Sequence, residues 1–302
     1  MTSLSRHCFQ KYHGVALTLG LYLCALTLPV TVVAQQCTNH TFLSGAFALA
    51  FDKDGTLFVS QERGPNGGFP DGMSVARVNV NESSPYFGDT CEFALDINGA
   101  SGLAFDTDRC SLYVSDDDAC VNRVLPDGTL ENAVTCGSVL SNPNGIAIDV
   151  NDSLYTIGAG NGEVRKFHAN AGRYDDDPNE CVLSSGDGSD IMQGIAVDED
   201  REILYVSGGN SKIFAVPKAC PPSGSPYCDL SGNITGTPCY LVIDIAATSI
   251  PDYVSGWGSG HEGGLYYDGN DTLLWSDYGQ GLVVAIGLSG ANATVVAGPT
   301  VC

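Results

Sequence analysis

Beyond its first thirty-four residues, the chain places its apolar residues in short runs closed by polar turns, with no stretch holding the spacing of a long amphipathic helix. One run recurs five times: Ala48-Leu49-Ala50-Phe51-Asp52, Gly102-Leu103-Ala104-Phe105-Asp106, Gly145-Ile146-Ala147-Ile148-Asp149, Gly194-Ile195-Ala196-Val197-Asp198 and Gly264-Leu265-Tyr266-Tyr267-Asp268. A second follows each Asp by five or six residues: Leu57-Phe58-Val59-Ser60, Leu112-Tyr113-Val114-Ser115, Leu154-Tyr155-Thr156-Ile157, Leu204-Tyr205-Val206-Ser207 and Leu273-Leu274-Trp275-Ser276. The five Asp positions lie 54, 43, 49 and 70 residues apart.

The continuous apolar character of the first run suits a strand buried on both faces. The polar residues between the runs, such as Lys53-Asp54-Gly55 or Asn151-Asp152-Ser153, suit a hairpin turn. Third strands are expected at Val75–Val80, Val121–Val124, Glu163–Phe167, Lys212–Val216 and Leu282–Ile286. Fourth strands are expected at Glu92–Ile97, Ala133–Cys136, Cys181–Ser184, Tyr240–Ile245 and Ala293–Ala297. A period in the forties with four strands per unit predicts an all-β fold, a β-propeller of four-stranded blades. Five repeats are countable, and six blades of about 45 residues would also fit the length. The Pro/Gly-rich stretch Pro221-Pro222-Ser223-Gly224 reads as an insertion that accounts for the longest spacing.

The N-terminus carries Arg6 and Lys11, an apolar stretch from Val15 to Val33, and the small residues of Val32-Val33-Ala34. This is the layout of a secretory signal over residues 1–34, leaving one domain over 35–302 with no later membrane span. Two of the twelve cysteines, Cys8 and Cys24, fall in the signal. The even remainder reads as a disulfide framework, since there is no C-x-x-C pair and little histidine for zinc. Ring closure needs the chain ends to meet, which favours a Cys37–Cys302 pair, and Cys110 and Cys120 bracket a strand that they could cross-link. Sequons at Asn39, Asn81, Asn151, Asn233, Asn270 and Asn292 are candidate glycosylation sites. Without the signal, 11 basic residues face 35 acidic ones, a balance that excludes nucleic acid and anionic membranes as partners. The runs Asp116-Asp117-Asp118 and Asp175-Asp176-Asp177 read as solvated loops or cation sites.

The repeated phrases resemble NHL-repeat propellers, whose units run G-I-A-V-D, turn, L-Y-V-A-D; Gly194–Asp198 with Leu204–Ser207 matches best, and Asp116 and Asp277 keep the acid after the second strand. Two further fragments resemble the gluconolactonase and senescence-marker-protein family, six-bladed calcium-dependent lactone hydrolases. These are Asn144-Gly145-Ile146-Ala147, where that family has a metal-binding Asn, and Glu262-Gly263-Gly264-Leu265-Tyr266 with Leu273-Leu274-Trp275-Ser276-Asp277. Where the family has a ligand in Asp-Gly, this chain has Gln193-Gly194, and its Glu fragment lies in the last unit rather than the first.

Residues just ahead of each first strand should line one mouth of the central channel: Phe47, Ser101, Asn144, Gln193 and Gly263, with His261 and Glu262 beside the last. Asn144, Gln193 and Glu262 supply oxygen donors suited to calcium (Ca2+), or side chains that hydrogen-bond the turns between blades. His261 is a candidate proton carrier or an ordinary exposed histidine. The match of Gly258–Gly263 to G-x-G-x-x-G opens no helix and excludes dinucleotide binding there, and no nucleophile elbow, P-loop or H-E-x-x-H is present. Zinc lyases of the NHL class need several inner histidines, whereas the chain beyond the signal holds only His40, His168 and His261. Glu62 and Arg63 in a Gly-rich loop could orient a polar ligand or form a surface ion pair. Tyr253, Trp257, Tyr266, Tyr267, Trp275 and Tyr278 cluster toward the last unit, where an exposed pair would suit a sugar ring. Together these features predict a secreted, monomeric propeller that binds a small polar ligand, extracellular protein or glycan. The second expectation is a calcium-dependent hydrolase, or a lyase, acting on a small lactone or sugar-derived substrate.

Overall fold

The computed structural model describes residues 46–297 apart from scattered short stretches and loops, the longest at 62–72, 81–89, 231–238 and 246–261. The chain forms five antiparallel sheets, one for each repeat. Blade 1 holds β1 (Ala46–Phe51), β2 (Leu57–Gln61), β3 (Met73–Val78) and β4 (Thr90–Leu95). Blade 2 holds β5 (Leu103–Asp106), β6 (Ser111–Asp116), β7 (Cys120–Val124) and β8 (Leu130–Val134). Blade 3 holds β9 (Pro143–Ile148), β10 (Ser153–Gly158), β11 (Glu163–His168) and β12 (Cys181–Ser185). Blade 4 begins with β13 (Ile195–Asp198), β14 (Ile203–Gly208) and β15 (Lys212–Pro217). A two-residue strand β16 (Cys228–Asp229) precedes its outer strand β17 (Tyr240–Asp244). Blade 5 holds β18 (Glu262–Tyr267), β19 (Thr272–Asp277), β20 (Leu282–Gly287) and β21 (Asn292–Ala297). The first strand of each blade neighbours that of the next, and β1 lies beside β18, so five blades close the ring and the six-blade alternative is set aside.

The insertion does not lengthen its own blade. β16 pairs in parallel with β12, Ser184 opposite Cys228, and so covers the outer edge of blade 3, an edge that would otherwise present unpaired backbone groups. Cys181–Cys220 ties the insertion to β12, and Cys228–Cys239 closes it.

The third described disulfide corrects an expectation. Cys120 bonds to Cys136, and Cys110, also disulfide-bonded, has another partner. Cys110 immediately precedes β6, whereas Cys120 pairs with Asp116 at the far end of that strand. Six residues of strand separate them by about 20 Å, well beyond the roughly 7 Å that a disulfide spans between Cα atoms. Cys37 and Cys302 lie outside the described residues.

The period of two along each first strand decides which blade a side chain meets. The Ala of the repeat faces the next blade, and the Leu or Ile before it faces the previous one. Ala104 and Tyr113 of blade 2 thus pack against Ile146, Leu154 and Phe167 of blade 3. Ala147, Tyr155 and Val164 meet Ile195, Leu204 and Phe214 of blade 4. Each such fully buried apolar side chain contributes ~1.5–3 kcal/mol. Among the described residues four buried clusters of this kind occur, at the 1/2, 2/3, 3/4 and 4/5 interfaces.

The serine closing the second phrase adds a polar bridge. Ser115 Oγ accepts from Gly102 N–H at 2.6 Å within its blade and donates to the Asn144 carbonyl of blade 3 at 2.7 Å. Ser60 does the same between blades 1 and 2, from Ala48 N–H (2.9 Å) to the Ser101 carbonyl (2.6 Å). Ser115→Ala is therefore expected to cost about 2 kcal/mol, because it strands a buried N–H. Urea denaturation measures it, and a loss below about 0.5 kcal/mol would remove the serine bridge from the account of ring closure.

Candidate functional site

The two ends of the channel are chemically different. At one end, each first strand terminates in the repeated Asp, and this carboxylate is spent on the hairpin turn. Asp149 Oδ1 accepts from Asn151 N–H (2.9 Å) and Ser153 N–H (2.8 Å), and its Oδ2 accepts from the Tyr155 hydroxyl (2.9 Å). Asp198 accepts from Arg201 N–H (3.0 Å), the Arg201 guanidinium (2.7 Å) and the Tyr205 hydroxyl (3.1 Å). Asp52 and Asp268 hold their turns through Thr56 N–H and Thr272 N–H.

Salt links join neighbouring turns at this end. Arg109, three residues after Asp106, reaches Asp152 of blade 3 at 2.7 Å. Arg201, three residues after Asp198, reaches Asp271 of blade 5 in the same way. Asp152 and Asp271 occupy equivalent left-handed turn positions (φ 63° and 76°), a conformation that short Asp side chains tolerate. Between blades 3 and 4 the buried Lys218 ammonium sits among Glu199, Glu202 (3.5 Å) and Asp149 (3.6 Å). Lys166 Nζ donates to the Lys218 carbonyl at 3.0 Å.

Burial raises the Asp149 carboxyl, but hydrogen bonds from Ser153, Tyr155 and Asn151 and the charge of Lys218 outweigh it, so the group lies below the usual carboxylate range. Asp198 is lowered likewise, burial being overcome by Arg201 and Tyr205. A carboxylate depressed in the folded state stabilises fully above its unfolded value of about 3.9 and loses that contribution as pH falls through its folded value. Thermal unfolding is therefore expected to show Tm falling with acidification below about pH 5. The Asp149→Asn, Asp198→Asn double variant should start lower and fall less steeply. An equal slope in variant and parent would assign the acid sensitivity elsewhere.

The other end is the predicted mouth. Ser101-Gly102, Asn144-Gly145 and Gln193-Gly194 stand at the starts of three successive inner strands, and Ser101, Asn144 and Gln193 are all buried. The glycines are required by close approach of the strands. A Cβ at Gly102 would meet the Asn144 carbonyl oxygen at 2.1 Å, and one at Gly145 the Gln193 carbonyl oxygen at 2.3 Å. Ser101 Oγ donates to the Gly99 carbonyl at 3.1 Å. The structure thus brings Asn144, near the start of β9, and Gln193, two residues ahead of β13, close together through their backbone.

The rest of the predicted set is only partly placed. Glu262 opens β18 opposite Asp277, its side chain lying outside the described residues, as do His261 and the side chains of Phe47 and Gly263's surroundings. Asp116 is committed locally, accepting from Asn122 Nδ2 and Asp118 N–H, each at 2.8 Å. His168 pairs with Ser153 at the Asp-turn end, away from the mouth. Glu62, Arg63, Asp175–Asp177, Tyr253, Trp257 and Tyr278 lie outside the described residues, and Trp275 is core. Among the described residues no group of three or more His, Cys, Asp or Glu is arranged to hold a metal ion. Asn144 and Gln193 are neutral oxygen donors, so the Glu262 carboxylate would have to supply the charge of any calcium site. Of the sequons, Asn151 and Asn270 sit in exposed, equivalent turns at the Asp end, whereas Asn39, Asn81, Asn233 and the Asn292 side chain lie outside what is described.

No protein-family model matches the chain, and no curated protein does. Solved structures do. The Nidogen/Laminin complex matches with a TM-score of 0.58 at 16% identity, over 84% of this chain and 81% of that one. A catalytically inactive virginiamycin B lyase from Staphylococcus aureus, with Quinupristin, matches with a TM-score of 0.51 at 16% identity, over 87% and 72%. At this identity the likeness is one of fold. It joins the five sheets in marking the chain as a β-propeller. Among the described residues no helix is long and apolar enough to cross a membrane.

Proposed function

We propose that this protein is a secreted, glycosylated propeller that binds an extracellular protein, glycan or small polar ligand at the mouth bearing Ser101, Asn144 and Gln193. The observation that carries this is the division of labour between the two ends of the channel. The repeat's carboxylates are consumed as turn clamps at one end, while neutral hydrogen-bonding side chains stand on rigid neighbouring strands at the other. Such a mouth suits recognition of a polar group, with little cost in ordering it on binding. The three disulfides among the described residues and the signal-like N-terminus support export, and the exposed Asn151 and Asn270 turns support glycosylation.

The test is expression of the full chain in a eukaryotic secretory host, followed by screening of the purified product against defined extracellular proteins and glycans. The product is expected in the medium, beginning at Gln35 and losing mass with an N-glycosidase. A mouth ligand should lose affinity with Asn144→Ala and Gln193→Ala while Tm holds. Retention in the cytosol, or a ligand indifferent to both substitutions, would overturn the proposal.

The adjacency of Asn144 and Gln193 supports a second reading, a calcium-dependent hydrolase of a small lactone or sugar-derived substrate. In it Glu262, Asn144 and Gln193 would hold the ion, which would supply Lewis-acid polarisation of a carbonyl, and His261 would carry the proton. Calorimetric calcium titration decides between the two. Stoichiometric binding lost in Asn144→Ala and Glu262→Ala would favour the hydrolase and justify a lactone screen. No binding, or binding that ignores both, would leave the recognition reading.

A further inference from the structure

Where the blades bury their serines, the insertion of blade 4 displays one. Ser60, Ser115, Ser153 and Ser207 are buried and hydrogen-bonded within the ring. Ser225 is exposed, as are Pro222, Gly224 and Pro226 around it. Two disulfides hold this proline-rich turn by its ends. Cys181–Cys220 ties the residue before it to β12, and Cys228–Cys239 fixes the residue after it. Between them the Pro221 carbonyl accepts from Gly224 N–H at 3.1 Å. That closes a four-residue turn with Pro222 second in it, a place that the fixed φ of proline suits. Gly224 takes the left-handed φ of 70°, and a Cβ there would meet nothing within 4 Å. Tyr227 then returns the chain to blade 3, its N–H donating to the Leu183 carbonyl at 2.9 Å and its hydroxyl to the Cys220 carbonyl at 3.3 Å. The turn is thus displayed on an anchored frame.

Among the described residues Ser225 is the one Ser or Thr directly beside a proline. Hydroxyl residues flanked by proline are the compositional mark of O-glycosylated segments. The physical reason is that proline donates no backbone hydrogen bond and disfavours helix in the residue before it, so the segment stays out of regular pairing. No sequon overlaps residues 219–228, which contain no asparagine, so a sugar on this turn would have to be carried by oxygen.

We propose that Ser225 is a site of O-linked glycosylation, its Oγ taking a sugar from a sugar nucleotide on a transferase. The bond from Oγ to the anomeric carbon forms as the bond from that carbon to the nucleoside diphosphate breaks, and the hydroxyl proton leaves to a base of the transferase. The sugar then stands three residues ahead of β16, the strand that ends the blade 3 sheet, where its bulk opposes the addition of a further strand. This rests on the reading of the chain as exported.

The full chain expressed in a mammalian secretory host tests it. After reduction, cleavage behind Lys218 and ahead of Asp229 releases residues 219–228, a fragment without Asn or Thr whose serines are Ser223 and Ser225. Mass spectrometry is expected to find this fragment heavier by one or more sugar units, and electron-transfer fragmentation to place them on Ser225. The added mass should vanish in Ser225→Ala with Tm unchanged, and should fall in Pro226→Ala. A bare fragment, phosphate in place of sugar, or sugar on Ser223 alone would overturn the proposal. A bare fragment from a secreted chain that carries N-glycans at Asn151 or Asn270 would do so while leaving the export reading in place. A chain that never reaches the medium would overturn both.

Discussion

Gly145→Ala is expected to destabilise the protein by about 3 kcal/mol and to lower Tm by about 6–12 °C. The added methyl carbon would sit 2.3 Å from the Gln193 carbonyl oxygen and 3.2 Å from an Ile195 methyl group. The first contact is with backbone, which cannot swing aside as a flexible side chain would. Relief requires separating β9 from β13, and that separation opens the cluster formed by Ala147, Ile157 and Ile195. Gly264→Ala is the control, since it occupies the same repeat position with nothing within 4 Å. It should be neutral, or stabilising by about 0.4–1 kcal/mol through a less flexible unfolded chain. Equal losses at the two positions would show that close approach does not explain the glycines.

Asp149→Ala is expected to be at least as damaging, at about 3–5 kcal/mol. It removes the acceptor of the buried Tyr155 hydroxyl and of Ser153 N–H. It also takes one of three carboxylates from the nearly fully buried Lys218. Stranded donors and an under-compensated cation each carry a desolvation cost that water cannot repay. Asp149→Asn should fall between variant and parent, since it keeps one acceptor but no charge. Denaturant midpoints at neutral pH measure the series. If Lys218→Met in the Asp149→Ala background restored most of the loss, the stranded ammonium would be its main source. If it restored none, the hydroxyl and amide would be.

The blades were legible because each repeat states its strands twice over, as a run suited to burial and as a turn suited to a hairpin. The expected third strand Lys212–Val216 and the observed Lys212–Pro217 differ by one residue. Two outer strands shifted more, Leu130–Val134 replacing Ala133–Cys136 and Thr90–Leu95 replacing Glu92–Ile97, because an outer strand is half solvated and its apolar signal is weak; the other three match to within a residue. Disulfide partners were not legible: bracketing β6 puts Cys110 and Cys120 at its opposite ends, too far apart to bond, and nothing in the spacing names Cys136 as the partner of Cys120. Position at the mouth was legible for Ser101, Asn144 and Gln193, each one residue ahead of a repeat glycine. The role of the repeated Asp was not assigned, although its offset to Arg109 and Arg201 is written in the chain. Tyr266 stood out as a break in the pattern, but its exposure depends on what the facing blade supplies, and that is a property of the ring.

The alternation of turns has an arithmetic consequence. Blades 2 and 4 carry an Arg three residues after the Asp, and blades 3 and 5 carry an Asp there. Each Arg reaches forward to the next blade, so the arginine links couple 2 with 3 and 4 with 5, while Lys218 bridges 3 and 4 by a different route. Exchanging the members of a couple would set guanidinium against guanidinium, which makes blade order part of the charge pattern. A ring of five cannot be tiled by couples. Blade 1, with Asp52-Lys53-Asp54-Gly55 at its turn, is the one left over. Its junction with blade 2 is sealed by the cluster of Ala50, Phe58 and Leu103, and among the described residues no Arg link of this kind reaches it: in a ring of five, one blade must rely on packing where its neighbours also use charge.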